Sequence, residues 1–525
     1  MSSIPLRAVS SARPDTDGLV PRTPHSRSGR FDEADLGVPK GTSEDEDSHG
    51  LSDSDPLLRD EDTTEDSPLQ PTTPKPLSNS TRFSIIGLAV LLFLTFLVGV
   101  VYRKSEEVEE VHDYEAKVHG EHSDLTLISY ENYTKFPLTP KQYRTECRNM
   151  HRGEMRHMAY WTDLRVDVPH PSSASGVCKS TVTYMLGSEV GLMGDLGLLA
   201  QVAALADSQQ RTFFVDDSQW NRGKWSDYFS DISLLRPGPE PGCKPPPPEE
   251  LVACPRSARH WVVSSQTAIY HLGHSFFEEF EDPYSIGLGR LKPIYEMALS
   301  SFLQVILPSP RMATLIRKTR DELVSDAENE SLKYLGVHIR RGDRLGLTWK
   351  YHKTHLPTNL YVDAALETWQ RLDPKSEGSP LFYIASDSPA ALEEFLEQLP
   401  SNVRAFSLVW SDDEQLKAIA SPRSYVQEEF NTLSEEERIR LTKGMIVDFA
   451  LLTGLWINER DPDVRPYATV CGLSSTVCRL SALGFGWDGA FGSLAAEIDN
   501  TVKRWVEIDN AGGLVPQWEP FELFE

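Results

Sequence analysis

Hydrophobic residues in this chain follow two patterns: one uninterrupted apolar run, and a long series of short apolar segments separated by polar ones. The run covers residues 83–102 (FSIIGLAVLLFLTFLVGVVY) and contains no charged side chain. A helix of this length, rising about 1.5 Å per residue, matches a bilayer hydrocarbon core of roughly 30 Å. The run is too long, and begins too far from the first residue, to be a cleaved signal peptide. We therefore predict a single transmembrane signal anchor at 83–102.

The segments on the two sides of the anchor predict different environments. Residues 1–82 are rich in Ser, Pro, Thr and Asp and carry 9 basic and 16 acidic residues, so we predict a disordered cytosolic tail there. Residues 103–140 are polar and are predicted to form a stem. All six cysteines, and the N-glycosylation triplets at Asn132 and Asn329, follow the anchor. An even number of cysteines on one side is typical of an oxidising lumen with up to three disulfides, whose pairing the sequence leaves open. We predict a single-pass type II glycoprotein of the Golgi or endoplasmic reticulum with a lumenal body.

Beyond residue 141, strand-like and helix-like segments alternate, which predicts an α/β fold. Residues 195–208 read as a helix and 212–215 as a strand, while the Pro-rich segment 237–248 reads as a loop. Further segments continue the alternation: strands at 334–339, 381–385 and 468–470, and helices at 360–371, 389–399 and 444–455, the last opened by a capping box at Ser434–Glu437. We predict two doubly wound domains, 141–330 and 331–525, with a cleft between them. Ligands of such sheets bind beyond the carboxyl ends of the strands.

The charge balance excludes one class of partner. The 525 residues include 52 Lys and Arg against 78 Asp and Glu, a formal net charge of −26. Binding to nucleic acid depends on clustered cations that meet phosphates, so we predict no nucleic-acid partner. Membrane association is expected through the single helix only. Local basic pockets remain compatible with this composition.

The segment 335–344 (Leu-Gly-Val-His-Ile-Arg-Arg-Gly-Asp-Arg) carries the densest charge next to a predicted strand. Because side chains alternate along a strand, His338 and Arg340 share one face. An arginine at the end of a buried strand is costly unless an anion meets it. Together Arg340, Arg341 and Arg344 would suit a diphosphate, and the alternative is a structural cluster of ion pairs.

Residues 337–344 resemble the His-x-Arg-Arg-x-Asp-Lys motif of the α1,6-fucosyltransferases, glycosyltransferase family 23, within the broader superfamily of GDP-fucose-dependent O-fucosyltransferases. Three other blocks are similar to segments of that family and occur in the same order. They are residues 210–212 with Trp220 and Trp225, residues 382–388 (Phe-Tyr-Ile-Ala-Ser-Asp-Ser), and residues 470–479 (Val-Cys-Gly-Leu-Ser-Ser-Thr-Val-Cys-Arg). The four blocks span about residues 188–480.

The resemblance implies a GT-B-like pair of Rossmann-type domains and GDP-fucose as the donor. In that interpretation Arg340 binds the β-phosphate and stabilises the leaving GDP, while Asp387 and Asp448 hold the guanosine. The residues implied to surround the donor are Gly191, Leu192, His338, Arg340, Arg341, Asp343, Arg344, Asp387, Asp448, Ser474, Ser475 and Thr476. Two alternatives stay open: Ser474–Thr476 as a simple helix cap, and Asp448 as an exposed helix residue.

The general base is where the chain departs from the family pattern. Thr348 stands at the position of the family's glutamate, and a hydroxyl cannot act as that base at neutral pH. Asp195, which follows the Gly-rich turn 191–194, is the first candidate, expected at the mouth of the cleft. Glu189 and His352 are the next candidates, and each of the three could instead be structural.

Neither a metal nor a cofactor is expected from the sequence. Asp461 and Asp463 mimic a metal-binding pair but fall in a charged segment that we interpret as a solvated loop. No cysteine or histidine spacing indicates zinc, and the cationic motif could itself neutralise a leaving diphosphate. The sequence thus predicts an inverting fucosyltransferase that acts on a glycan or glycoprotein. The alternatives are a protein O-fucosyltransferase and a non-catalytic protein that binds a sugar nucleotide or glycan; the acceptor stays open, and so does the oligomeric state.

Overall fold

The computed structural model describes residues 125–151, 165–170, 176–254, 256–325, 333–343, 345, 351, 353–375, 379–457, 464–472, 474–492, 502–509 and 518. The predicted tail, the predicted anchor and most of the predicted stem lie outside these residues. Within the described ranges no helix has both the length and the apolar character needed to cross a bilayer.

Parallel strands form the frame of the molecule. The ten strands of the described residues are β1 Thr126–Leu127, β2 Val166–Asp167, β3 Thr181–Met185, β4 Thr212–Asp216, β5 His260–Ser264, β6 Tyr334–Ile339, β7 Leu381–Ser386, β8 Arg404–Phe406, β9 Pro466–Cys471 and β10 Trp505–Glu507. A three-stranded sheet has the order β4-β3-β5 and a five-stranded sheet the order β10-β9-β6-β7-β8, while β1 pairs with β2. Every one of these ladders is parallel.

Helices connect the strands and cover both faces of the sheets. Their bounds are α1 Pro140–His151, α2 Leu192–Ser208, α3 Ile232–Leu235, α4 Ile269–Leu272, α5 His274–Phe280, α6 Lys292–Gln304, α7 Pro310–Ser325, α8 Thr358–Leu372, α9 Pro389–Gln398, α10 Glu414–Ile419, α11 Gln427–Thr432, α12 Glu435–Thr453, α13 Thr476–Ser481 and α14 Gly486–Phe491. Strands covered on both faces are apolar throughout, and every residue of β3, β5 and β6 is buried. The predicted α/β alternation is confirmed.

Local sequence signals set the ends of the long helix α12. The Ser434 hydroxyl accepts a hydrogen bond from the Glu437 N–H at 3.2 Å, which is one of the two bonds of the predicted capping box. At the other end Gly454 adopts a left-handed conformation with φ of 68°, which a glycine tolerates without strain. Between these signals α12 packs against β6 and β9. The helix α12 therefore lies beside β6 and β9 and reaches the edge of the sheet where these strands end.

One hydrophobic core extends across the predicted domain boundary. The described residues belong to a single compact unit. A continuous cluster of buried side chains includes Leu196 and Val263 from the first half and Tyr334 and Leu452 from the second. The predicted boundary at 330/331 falls between α7 and β6, and the two-domain division stays a prediction.

Three disulfides join the six cysteines. The pairs are Cys147–Cys254, Cys178–Cys243 and Cys471–Cys478. The prediction of up to three disulfides is confirmed, and the structure supplies the pairing that the sequence left open. The first two close loops of 107 and 65 residues, which removes considerable conformational freedom from the unfolded chain.

Candidate functional site

The carboxyl ends of β3, β6, β7 and β9 face one cavity of about 300 Å³. Its walls include ten of the residues that the sequence analysis selected for the donor: Gly191, Leu192, His338, Arg340, Asp343, Asp387, Asp448, Ser474, Ser475 and Thr476. They come from five segments that are far apart in the sequence: four lie at or just beyond strand ends, and the fifth, with Asp448, is the helix α12. Parallel strands place their carboxyl ends at the same edge of a sheet, and this explains why the loops meet.

The first wall of the cavity is the start of α2. Gly191 precedes the helix with an extended ψ of 159°, and no side chain caps the first turn. The N–H groups of the first helical residues, Leu192, Met193 and Gly194, have no partner within the helix, whereas the N–H of Asp195 already bonds the Gly191 carbonyl. A helix start with free N–H groups and a positive dipole end favours an anion.

Arg340 lies at the end of β6 between two carboxylates. Its Nη1 donates to Asp387 Oδ2, and its Nη2 donates to Asp343 Oδ1 at 2.5 Å. The guanidinium carbon sits 5.1 Å from the centre of the Tyr425 ring. The planar fork is thereby oriented at the cavity wall, where it can exchange a carboxylate partner for a phosphate.

Asp387 organises the loop that follows Arg340. Its carboxylate accepts hydrogen bonds from the backbone N–H groups of Arg341 at 2.7 Å and Gly342 at 2.9 Å, as well as from Arg340. A side chain at Gly342 would overlap the carbonyl oxygen of Tyr425, so this position requires glycine. The Arg-Arg-Gly-Asp motif is therefore held in shape by an aspartate that follows the neighbouring strand. The guanosine contact implied for Asp387 stays a prediction.

Arg341 points away from the cavity. Its guanidinium lies 2.7 Å from Glu394 Oε2 and donates to the Thr358 hydroxyl at 2.5 Å. It is absent from the residues that line the cavity. For Arg341 the prediction of direct donor contact does not match its placement, and the alternative interpretation as a structural ion pair describes it better.

Asp448, on α12, faces the cavity and accepts a hydrogen bond from the Tyr383 hydroxyl at 2.6 Å. Burial raises the pKa of this carboxyl group to about 7, and the hydrogen bond from Tyr383 offsets part of that effect. The alternative of an exposed helix residue is wrong, since Asp448 is partly buried in the cavity wall. A ligand group that donates hydrogen bonds would favour its ionised form.

His338 and Ser475 form a neutral polar pair on the wall formed by β6 and the start of α13. The His338 Nε2 and the Ser475 hydroxyl lie 2.9 Å apart. Burial, with the nearby charge of Arg340, lowers the pKa of His338 to about 3, so its ring is neutral at pH 7. Ser475 is the cap residue of α13, yet its side chain makes no capping bond. For Ser475 the simple-cap alternative is therefore wrong.

Arg222, which no sequence pattern indicated as a site residue, also lines the cavity. It is 2% exposed, donates to the hydroxyls of Tyr425 at 3.1 Å and Thr442 at 3.3 Å, and stacks on Phe430 with its guanidinium carbon 4.2 Å from the ring centre. Among the described residues no carboxylate lies within salt-bridge distance of it, although its charge is close enough to oppose the rise in the pKa of the buried Asp195 carboxyl group. A buried guanidinium group that no carboxylate bonds directly favours an anionic ligand beside it. Arg222 lies between Trp220 and Trp225, in one of the blocks that resemble the fucosyltransferases, and this is the feature of the sequence from which it could have been predicted.

Asp195 is not at the mouth of the cavity, and that expectation is wrong. Its side chain is fully buried and accepts a hydrogen bond from the Tyr184 hydroxyl at 3.0 Å. It does not line the cavity, although the preceding residues Gly191–Gly194 do. Successive side chains of a helix are rotated by about 100° around its axis. The side chain of Asp195 therefore points into the core, although the residues before it line the cavity. Glu189, the next candidate, is exposed and lines the cavity.

Three further residues of the sequence analysis lie outside the described ranges. They are Arg344, selected for the donor, and Thr348 and His352, considered for the base. Asp461 and Asp463 also lie outside them.

Comparison with known proteins gives distant structural similarities. No protein-family model matches the chain, and no curated protein matches it. The chain is similar to the crystal structure of NodZ alpha-1,6-fucosyltransferase soaked with GDP-fucose, with 15% identity, 58% of this chain and 92% of that chain covered, and a TM-score of 0.34. It is similar to fucosyltransferase NodZ from Bradyrhizobium at 13% identity, the same coverage and a TM-score of 0.35. It is also similar to a mutant of FUT1 from Arabidopsis thaliana in complex with GDP, at 10% identity, with coverages of 67% and 80% and a TM-score of 0.34. The function proposed below therefore rests on the motifs and the cavity of this chain.

The buried carboxyl group of Asp195 predicts a pH-dependent stability. Burial raises its pKa from 3.8 to about 7, and the bond from Tyr184 only partly offsets this. The folded state therefore keeps a proton that the unfolded chain releases between about pH 4 and pH 7, so this residue lowers stability as the pH rises through that window. We expect Asp195→Asn to gain stability relative to the wild type from pH 5 to pH 8, by up to about 4 kcal/mol.

Thermal unfolding of the two proteins across this pH range checks the expectation. Asp363→Asn, at an exposed position on α8, is the matched control and should follow the wild type at every pH. A constant difference between Asp195→Asn and the wild type would show that Asp195 is ionised throughout.

Proposed function

We propose that this chain is an inverting glycosyltransferase that moves fucose from GDP-fucose to a glycan or glycoprotein. The observation that carries the proposal is the cavity. It brings together Arg340, Arg222 and the uncapped start of α2, three features that each favour an anion. The same cavity is lined by His338, Arg340, Asp343, Asp387 and Ser474–Thr476 from the fucosyltransferase-like motifs, whereas Arg341 lies outside it. Its size falls at the lower end of the usual range for small-molecule sites, about 300–1,000 Å³.

The cavity supplies separate groups for the parts of the donor. Arg340 and Arg222 would neutralise the diphosphate, helped by the N–H groups at the start of α2. Asp448 is placed to accept hydrogen bonds from a base, as its carboxylate already does from Tyr383. The neutral pair of His338 and Ser475 adds polar contacts without charge. This division of charge matches a nucleoside diphosphate better than a simple dianion.

The proposed reaction is a single displacement at the anomeric carbon of fucose. The acceptor hydroxyl oxygen forms the new bond to that carbon while the bond to the β-phosphate oxygen breaks. The electron pair of the broken bond leaves with GDP, where the guanidinium groups stabilise the added negative charge. The proton of the acceptor hydroxyl passes to Glu189, the carboxylate on the cavity wall that is exposed to solvent. The acceptor attacks opposite GDP, so the configuration inverts.

A sugar-nucleotide assay tests this proposal. Purified full-length protein is incubated with GDP-fucose, GDP-mannose and UDP-galactose, with and without a panel of N-glycans, O-glycans and folded protein domains. We expect release of GDP from GDP-fucose only, stimulated by one acceptor class. Stimulation by protein domains alone would favour a protein O-fucosyltransferase. Tight GDP binding without turnover on any acceptor would favour the non-catalytic alternative. Lack of GDP binding would reject both transferase functions and leave only a protein that binds a glycan.

We also propose that the body is lumenal and that the chain is a single-pass type II protein of the Golgi or endoplasmic reticulum. The uncharged run 83–102, the three disulfides and an exposed Asn132 in a glycosylation triplet support this orientation. Protease added to intact microsomes should remove the first 82 residues and leave the rest protected. Digestion of the C-terminal body in sealed vesicles would reverse the topology.

A further inference from the structure

Three potential metal ligands meet at the end of the three-stranded sheet opposite the cavity. His260 is the first residue of β5, Glu250 ends the short 3₁₀ helix Pro248–Glu250, and His170 follows β2. One ligand atom from each lies within 4.8 Å of the other two. None of the three lines the cavity. The cluster is therefore a separate feature of the fold.

The distances within this cluster are close to those of a metal centre. His170 Nδ1 lies 2.6 Å from Glu250 Oε2, and His260 Nε2 lies 3.8 Å from the same oxygen. Ligand atoms of a tetrahedral zinc ion, each about 2.0–2.1 Å from the metal, are roughly 3.3 Å apart. The two distances to Glu250 differ from that spacing by about 0.7 and 0.5 Å, and the two histidine nitrogens lie within 4.8 Å of each other.

His260 carries the observation that an ion pair cannot explain. Its side chain is fully buried, and its Nε2 has no hydrogen-bond partner among the described residues. Glu250 Oε2 is the acceptor it faces, but 3.8 Å is too long for a hydrogen bond. A buried ring nitrogen left in this state costs free energy, which a metal ion between the two atoms would recover.

The other nitrogen of the His260 ring has a hydrogen-bond partner, as is usual for a histidine that binds a metal. Its Nδ1 lies 3.0 Å from the Thr181 hydroxyl on β3. If Nδ1 donates to that hydroxyl, Nε2 carries the lone pair and points into the cluster. A neutral imidazole that donates from one nitrogen and keeps the other free is the form that binds metals.

His170 has a carboxylate beside its other ring nitrogen. Its Nε2 lies 3.1 Å from Asp167 Oδ1 without hydrogen-bond geometry, so the carboxylate is near the ring that it could orient once a metal is bound. Asp167 and Glu250 together carry two negative charges, which balance a divalent cation. The guanidinium groups of Arg211 and Arg259 oppose a cation there, but both donate to backbone carbonyl groups rather than to these two carboxylates.

We propose that His170, Glu250 and His260 bind one Zn²⁺ ion, with water as the fourth ligand. Two imidazoles and a carboxylate are a ligand set typical of zinc. The ion would fasten the loop after β2 and the segment before β5 to the start of the sheet. Because the cluster lies outside the cavity, the ion would not take part in the proposed fucosyl transfer. The three positions are separated by 80 and 10 residues, which explains why the sequence spacing did not indicate zinc.

Metal analysis of the full-length protein tests this site. After stripping with a chelator, the wild type should rebind one more equivalent of Zn²⁺ than the variants His170→Gln and Glu250→Gln, with a dissociation constant at least tenfold lower. Co²⁺ should give the visible absorption of a tetrahedral nitrogen–oxygen site in the wild type and lose it in both variants. Zn²⁺ should also raise the thermal midpoint of the wild type only.

His355→Gln, at an exposed position outside the cluster, is the matched control and should keep the full equivalent. GDP binding should be unchanged in all variants, so the outcome does not depend on the proposed function. His170 is only partly buried, so its replacement keeps the test usable if changes at the buried His260 prevent folding. Equal zinc and cobalt binding by the wild type and both variants, or no binding by any of them, would leave an ion pair of His170 with Asp167 and Glu250 and reject the site.

Discussion

Replacing Arg340 by lysine is expected to lower the kcat/KM of fucosyl transfer by about 30- to 1,000-fold, which corresponds to about 2–4 kcal/mol of transition-state stabilisation. Lysine keeps the positive charge but loses the planar fork that Arg340 holds between Asp387 and Asp343. A fork can bind two oxygens of a leaving diphosphate at once, whereas an ammonium group acts as a point charge. Steady-state kinetics with GDP-fucose and the acceptor found in the panel measure the change.

Arg341→Lys is the matched control, because the neighbouring arginine belongs to the same motif but bonds Glu394 and Thr358 outside the cavity. We expect it to retain transfer within a few-fold of the wild type. The thermal midpoint of both variants shows whether the motif still folds. Near-normal turnover in a folded Arg340→Lys protein would remove Arg340 from the mechanism. A loss of equal size in both variants would mean that the motif acts through its folding.

Replacing Glu189 by glutamine is expected to lower transfer by about 10²- to 10⁴-fold, the usual contribution of a positioned general base. An acceptor hydroxyl is a very weak acid, so it needs a carboxylate within reach as it attacks. Glu189 is exposed on the cavity wall, beside the start of α2. Glutamine has nearly the same shape, so GDP binding should remain close to that of the wild type. Transfer rates and GDP titrations of the same preparation check both parts.

Two further variants decide between the candidate bases. Glu367→Gln, at an exposed position on α8, controls for loss of a surface carboxylate and should keep full activity. Asp195→Asn should also keep it, because its carboxyl group is fully buried against Tyr184 and cannot contact an acceptor. The reverse pattern, with activity lost in Asp195→Asn and kept in Glu189→Gln, would restore Asp195 as the base and require a change of structure on acceptor binding.

Much of the candidate site could be predicted from the sequence because each of its segments is recognisable from a short run of neighbouring residues. The strand that ends in His-Ile-Arg-Arg is an apolar run followed by charges, and β6 ends at Ile339 as that pattern indicates. The predicted strands at 381–385 and 468–470 lie within β7 and β9, whose ends bring Asp387 and Ser474–Thr476 to the same cavity. Because the strands are parallel, the loops that follow them all lie at the same edge of the sheet. Resemblance to a family selected the same residues.

The sequence could not predict how deeply a side chain is buried or which distant residues it contacts. Periodicity tells which face of an element a side chain takes, but burial depends on what the rest of the chain places against that face. Asp195 shows this, because its helix begins at Leu192, three residues before the predicted start, and its carboxyl group is fully buried. Arg341 shows it too, since Glu394 belongs to a helix more than fifty residues later.

By itself, the sequence determined the α/β alternation, the charged strand end and the even number of cysteines, since each depends on the order of neighbouring residues. Only the tertiary structure decided that Arg222 joins Arg340 at the cavity, that Asp195 does not line it, and that His170, Glu250 and His260 meet at the opposite end of the sheet. These outcomes depend on contacts between segments tens to hundreds of residues apart. The packing of the whole core sets such contacts, and no local pattern encodes them.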